Sequence, residues 1–371
     1  MSKILIITLE YPPQVGGIAS YIFNYAQVLA GDKIIYAPRL AGDSAFDQTK
    51  QLKVIRRSPY WILWPRWLRM LFQIGSIIKQ EKITELHIHH VLPVGYIGYW
   101  FLKRKKIPYT LFLHGTDFNM ATKNKFKANR FHTICSQASR TVVNSEFLKT
   151  KLLARFDDLK NVIVVNPGPG SIFFNGVDEA ALAKRRAELA LTGKKVILTV
   201  ARLAEGKGYP HLIRVMPEIL KSIPNLIWII IGDGPKKKNI LDLIQNHSLQ
   251  NVVRFLGTVA YADLPFYYHL ADAFVLLTHP DEVSEEGWGT VFLEAAASGL
   301  PVVAGRVGGV EEAVLNLETG LVVDVHQDKA VVNAIVEILK NPEFAKQMGQ
   351  VGKARVLSEF TWEKQITKLG N

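Results

Sequence analysis

Short, almost wholly apolar runs recur along this chain with amphipathic stretches between them, and that alternation restricts the fold more than any other feature. In the first half the runs are Ile4–Leu9, Glu85–His89, Tyr109–Leu113, Arg140–Asn144 and Val162–Val165. In the second they are Val196–Val200, Ile227–Ile231, Val253–Leu256, Ala273–Leu277, Pro301–Ala304 and Leu321–Val323. Strands covered on both faces read as continuous apolar segments, which points to parallel sheets flanked by helices. Ile18–Ala30 supplies one such helix, with Ile18, Ile22, Tyr25, Ala26 and Leu29 at helical spacing, and the charged, alanine-rich Ala180–Ala190 supplies another. Asn166-Pro-Gly-Pro-Gly170 breaks the alternation once, with Asn175-Gly176 shortly after. The prediction is an α/β protein of two Rossmann-like, doubly wound domains joined near 167–175. Ligands of such sheets sit beyond the carboxyl ends of the strands, so the expected site is a cleft between the domains.

A length of 371 residues suits two cores better than one. With 48% hydrophobic and 21% charged residues the composition is that of a folded protein, without a low-complexity block or an internal repeat of fixed period. A lone cysteine, Cys135, excludes an intrachain disulfide and a multi-thiolate metal site, fits a reducing cytoplasm, and reads as a buried hydrophobe. Lys3–Thr8 reads as a strand, where a signal peptide would need a longer apolar region and a small-residue cleavage site. The nearest approach to a membrane span, the twelve uncharged residues Val91–Leu102, falls short of one and is expected to pack beside the sheet.

Charge is unevenly placed. Residues 1–170 hold 24 Lys and Arg against 10 Asp and Glu, whereas residues 171–371 hold 21 against 23. Such asymmetry suggests an anionic partner for the first half. No helix-turn-helix, zinc-finger or RNP pattern accompanies it, so nucleic acid is not expected. Residues 61–80 add Trp61, Trp64 and Trp67 and, from Pro65, a helical pattern with Arg66, Arg69, Gln73, Ser76 and Gln80 as its polar positions. Aromatics with arginines suit a membrane interface, and with Lys103–Lys106 they suggest contact with an anionic bilayer. The plainer reading is an amphipathic helix packed on its own sheet.

Several loops carry groups suited to a phosphorylated sugar. Glu286 and Glu294 lie eight positions apart around Gly287, Trp288 and Gly289, and Thr290–Ala297 reads as a helix whose N-terminus favours an anion. A carboxylate before the glycines can bind sugar hydroxyls, and one further into the helix can reach a ribose. Arg202 and Lys207, five residues apart with glycines flanking the lysine, can place two cations on one diphosphate. Gly16 and Gly17, between the first strand and first helix, would let backbone approach a phosphate or sugar; a tight turn is the alternative. His114-Gly115-Thr116-Asp117 follows a strand, where functional groups of such sheets gather. The dinucleotide fingerprint G-x-G-x-x-G is absent, which argues against an oxidoreductase. His87, His89 and His90 make no legible metal site, since only His87 and His89 share a strand face.

The pattern Glu-x7-Glu followed by Ala295-x-Ala-x-Gly-x-Pro-Val-Val-Ala304 resembles the signature of retaining GT-B glycosyltransferases of glycosyltransferase family 4. The Pro-Pro-x-x-Gly-Gly loop, His114-Gly115, Arg202-Leu203 with Lys207-Gly208, and Gly232-Asp-Gly-Pro235 resemble further motifs of that family in the same order; Ala201 replaces its usual glycine. The resemblance implies that two Rossmann-like domains face each other across a cleft. An acceptor-side domain would span 1–168, with a helix at about 358–371 crossing back to it, and a nucleotide-sugar domain 169–357. It implies a metal-independent, cofactor-free hexosyltransferase. A nucleotide-sugar donor, with a uridine diphosphate hexose favoured over GDP-mannose, would serve a glycan or lipid-linked acceptor in cell-envelope polysaccharide or glycolipid synthesis, in the cytoplasm or on the inner membrane face.

Catalytic roles would fall on His114, Arg202, Lys207 and Glu286. Donor contacts would come from Gly16, Gly17, Gly287, Trp288, Gly289, Thr290, Val291 and Glu294, with Val259 near the base. Glu286 would hold sugar hydroxyls, Glu294 the ribose, and Arg202 with Lys207 the departing diphosphate. A non-catalytic binding module of the same fold and a nucleotide-sugar epimerase are the alternatives.

Overall fold

The computed structural model describes residues 2–49, 51–60, 65, 67–281 and 288–370. Contacts divide the chain into two compact units, Met1–Pro167 with Trp362–Asn371, and Gly168–Thr361. The first holds strands β1 (Lys3–Ile7), β2 (Asp32–Pro38), β3 (Lys53–Arg57), β4 (Glu85–Ile88), β5 (Tyr109–Leu113), β6 (Arg140–Val143) and β7 (Val162–Val164). They form one parallel sheet in the order β3-β2-β1-β4-β5-β6-β7. The second unit holds β8 (Lys195–Val200), β9 (Leu226–Ile231), β10 (Val253–Gly257), β11 (Ala273–Leu276), β12 (Val302–Gly305) and β13 (Gly320–Val323), parallel in the order β10-β9-β8-β11-β12-β13.

Strand order reverses between β1 and β4 in one sheet and between β8 and β11 in the other. At such a switch point neighbouring loops leave toward opposite faces and open a crevice at the carboxyl edge. The loops after β1, β4, β8 and β11 are therefore where each unit can hold a ligand.

β2 and β3 lie outside the strands read from the sequence, and the reason is physical. β3 (Lys-Val-Ile-Arg-Arg) is an edge strand, exposed at both ends and half-buried between, so it carries no continuous apolar run. β2 opens on Asp32 and Lys33, exposed and half-buried, before its core residues Ile34–Ala37.

One face of the first sheet is covered by helices Leu68–Glu81, Val94–Lys105 and Lys125–Gln137, which bury Met70, Ile74, Ile97, Phe101, Phe131 and Ile134 in a common core. The uncharged stretch from Val91 is thus largely a crossover helix, and among the described residues no helix is long and apolar enough to cross a membrane. Helix Leu68–Glu81 packs on its own sheet, with Trp67 stacked on Tyr96 at 5.5 Å. Trp61, Trp64 and Arg66 lie outside the described residues. Cys135 is buried in this core, and burial pushes its thiol pKa up. On the opposite face lie helices Gly17–Val28 and Trp362–Thr367, where Trp362 sits edge-on to Tyr21 at 4.9 Å. Asn166 N donates to Gln365 Oε1 at 2.8 Å, which ties this last helix to the end of the sheet.

Candidate active site

At the carboxyl edge of the first sheet, the turn after β1 leads into helix Gly17–Val28, whose N-terminus has no side-chain cap. The space a Cβ would take at Gly17 is open, so backbone there faces accessible volume. His114 follows β5. Its Nε2 is enclosed without a hydrogen-bond partner, and its ring lies 5.0 Å from Tyr21 and 5.6 Å from His89. Burial, then the neighbouring His90, lower its pKa to about 3, so the imidazole is neutral and can both donate and accept. Asp117 folds back over the same loop, its Oδ1 accepting from the amides of His114 (3.1 Å) and Phe118 (3.0 Å). Asp117 therefore orients the loop, and burial raises its carboxyl to about 6.

The neighbouring histidines were legible as residue types but not as a network. Tyr25 hydroxyl lies 2.6 Å from His87 Nδ1, and His87 Nε2 lies 3.0 Å from Glu85. A carboxylate only accepts, so Nε2–H donates to it and Nδ1 accepts from the tyrosine. His89 is fully buried, 4.1 Å from the Phe112 ring, with both ring nitrogens unpartnered. Among the described residues no group of three His, Cys, Asp or Glu side chains is arranged to hold a metal.

In the second unit, Arg202 and Lys207 sit on the loop after β8. Leu203 N donates to Asp233 O at 3.0 Å, and Lys236 N donates to Leu203 O at 2.9 Å, clamping the backbone beside Arg202. A Cβ at Gly232 would stand 2.0 Å from Ala201 O, so the turn Gly232–Pro235 is glycine-rich because two loops interlock there. On the lysine side, His279 N donates to Gly206 O at 3.0 Å. Gly208 has φ 73°, and a Cβ there would lie 1.9 Å from Leu277 O. Replacing Gly208 by alanine is expected to cost about 2 kcal/mol, from left-handed backbone strain before any clash is relieved; chemical denaturation would measure it. An unchanged unfolding midpoint would mean that the loop is not held as described.

Gly289 stands in the left-handed region at φ 77° and starts helix Thr290–Ala297 without a side-chain cap. Glu286 and Gly287 lie outside the described residues. Trp288 is buried at 2% exposure with its ring 5.3 Å from Phe360, so the indole serves the core. Backbone at 288–291, with the half-buried side chains of Thr290 and Val291, is left to face a ligand. Val259, after β10, packs at the edge of the same core. Glu294 is 5% exposed and accepts from the Tyr268 hydroxyl at 2.9 Å; burial raises its carboxyl to about 7. Nothing in local spacing marks Tyr268 as this partner, since it lies 26 residues away in helix Leu264–Leu270.

The structure thus brings Gly16, Gly17 and His114 to one sheet edge within the first unit. Arg202, Lys207, Val259 and Trp288–Gly289 lie on carboxyl-edge loops of the second, and Thr290, Val291 and Glu294 on the helix that one of these loops starts. Residues 182–355 match the model for glycosyl transferases group 1, and residues 15–178 match that for glycosyltransferase family 4. The chain belongs to this glycosyltransferase family. A relative of similar length is the GDP-mannose-dependent alpha-(1-6)-phosphatidylinositol monomannoside mannosyltransferase of Mycobacterium tuberculosis, 27% identical over 100% of this chain and 98% of its own. A monoacylated-substrate counterpart from Corynebacterium glutamicum is 26% identical over 100% and 97%.

Among solved structures, the Anabaena protein HepE with UDP and glucose superposes with a TM-score of 0.83 at 18% identity, covering 100% of this chain and 99% of its own. Sucrose-phosphate synthase from Thermosynechococcus elongatus superposes with a TM-score of 0.81 at 21% identity, covering 100% and 98%. The fold of this family member is GT-B, two Rossmann-like domains of the doubly wound type. It is a hexosyltransferase by family.

Proposed function

We propose that this glycosyltransferase moves a hexose, with retention and without a metal, from a nucleotide sugar to a membrane glycolipid or lipid-linked glycan. The observation that carries the reading is the carboxyl edge of the second sheet. There the clamped loop of Arg202 and Lys207 shares a switch point with the uncapped helix Thr290–Ala297 and buried Glu294. Two cations and helix-terminal amides are suited to a diphosphate that gains charge as it departs, and Glu294 to the ribose. In the first unit His114 would act in catalysis and the Gly16-Gly17 turn would contact the donor, and Glu286 would hold the sugar hydroxyls. The acceptor oxygen arrives on the face the diphosphate leaves, and the departing phosphate oxygen takes its proton.

Two relatives that match the full length are named as GDP-mannose-dependent enzymes acting on phosphatidylinositol monomannosides. Their names favour GDP-mannose over a uridine diphosphate hexose as the donor here, and an inositol phospholipid as the acceptor. Thermal shifts with GDP and UDP test the donor. A nucleotide at 100 times its Kd stabilises by about 2.7 kcal/mol, and GDP is expected to raise Tm more than UDP. Release of GDP from GDP-mannose that rises on adding lipid acceptor tests the transfer. Absence of acceptor-dependent release from any nucleotide sugar would reject the reading.

A further inference from the structure

We propose that the surface formed by Met120 and residues 123–130, beside His114, docks on an anionic lipid bilayer. This location rests on the lipid-acceptor reading but differs from the 61–80 segment singled out in the sequence. Met120 and Phe126 are 60% and 68% exposed, among the most exposed large apolar side chains described. Lys123 to Lys127 form an unbroken exposed run, with Asn129 and Arg130 exposed one turn on. The run is ordered: Asn124 caps helix Lys125–Gln137 by accepting from Lys127 N at 2.9 Å, and the Arg130 guanidinium stands 5.5 Å from the Phe126 ring centre. Phe126 is therefore held outward in the first turn of a fixed helix.

The electrostatics are one-sided. Residues 118–145 contain Lys123, Lys125, Lys127, Arg130 and Arg140 and no Asp or Glu. Asp117 is turned inward onto the His114 and Phe118 amides. The acid next to this helix, Asp158, is taken by His132 at 2.8 Å, while Arg155 adds a cation at the loop root by donating to Thr122 O. Lys103 contacts Gln137 Oε1, so the Lys103–Lys106 cluster marks the opposite end of the helix, roughly 18 Å away at 1.5 Å per residue. At the 120–130 end Met120 and Phe126, both more exposed than Trp100 beside the Lys103–Lys106 cluster, stand among Lys123, Lys125, Lys127 and Arg130. A soluble polyanion would satisfy the lysines and leave Met120 and Phe126 in water, whereas a bilayer interface receives both. Docking there would bring the His114 edge of the sheet to the headgroup layer, where a lipid acceptor presents its sugar.

Co-sedimentation with phosphatidylcholine vesicles, with and without phosphatidylglycerol, at low salt tests the proposal. Wild type is expected to bind the anionic vesicles selectively. K123E/K125E/K127E is expected to lower partitioning by about 100-fold, and M120S/F126S to weaken it about tenfold while binding to soluble polyphosphate stays unchanged. Unaltered thermal melts would show that both variants fold. The proposal is overturned if the triple variant sediments like wild type, if neutral and anionic vesicles bind equally, or if wild type binds polyphosphate and no vesicle. Transfer to a detergent-dispersed acceptor tests the transferase reading without a bilayer, so the two fail separately.

Discussion

Lys207→Ala is expected to lower the single-turnover rate by about 100- to 1,000-fold while the protein keeps its thermal stability. In the proposed mechanism the lysine faces charge that grows only as the diphosphate departs, and one such stabilising group is worth about 3–4 kcal/mol. Donor binding should weaken far less than turnover, because the ground-state diphosphate meets the same cation before the charge has developed. The fold should not suffer, since the loop is fixed by backbone bonds from His279 N to Gly206 O and from Lys236 N to Leu203 O, none of which needs the side chain. Arg202→Ala should act in the same direction from the exposed side of that loop. A single-turnover rate within threefold of wild type would remove Lys207 from the chemistry.

That the loop can be singled out at all from the sequence reflects where information is local. Strand β8 and the glycines flanking Lys207 are written in consecutive residues, and so is helix Thr290–Ala297, whose observed bounds match those read from its small apolar pattern. Other features depend on partners distant in sequence. Trp288 reads as part of a ligand loop, yet its ring packs against Phe360, 72 residues on. Gly232 is legible only as part of a turn that resembles a family motif, and its packing reason, the Ala201 carbonyl where its Cβ would be, lies 31 residues away. β2 and β3 escape notice because partly exposed strands near a sheet edge need no continuous apolar run. The exposure of Phe126 was illegible for the converse reason: a phenylalanine between lysines at 125 and 127 looks the same in sequence whether it points into the core or away from it.

Glu294→Gln is expected to stabilise the protein in alkaline solution and to weaken its grip on nucleotide. Burial raises the Glu294 carboxyl from 4.5 to about 7, partly offset by the Tyr268 hydrogen bond. The native state therefore holds a proton that the unfolded chain releases near pH 4.5. The stability linked to that proton is complete below pH 4.5 and is lost as pH rises through 7. At pH 8 the buried carboxylate costs about 3 kcal/mol relative to its protonated form, at 1.36 kcal/mol per unit. Glutamine keeps an oxygen to accept from Tyr268 and carries no charge, so the variant should match wild type near pH 4 and exceed it by up to that amount at pH 8.

Asp117, raised to about 6, shifts wild-type stability in the same direction, whereas His114 and His90, lowered to about 3 and 4, oppose it as pH falls below 6.5. All three are common to both proteins, so the difference between variant and wild type isolates Glu294. If the carboxylate accepts from ribose hydroxyls, its loss should weaken nucleoside diphosphate affinity by at least about tenfold, the worth of a charged hydrogen bond. Gain of stability with loss of affinity is the signature of a residue held at a structural cost for binding. Denaturation between pH 4 and 8, paired with calorimetry, reads both. Unchanged affinity would return Glu294 to the core beside Tyr268, and a less stable variant at pH 8 would mean that a cation pairs with the carboxylate.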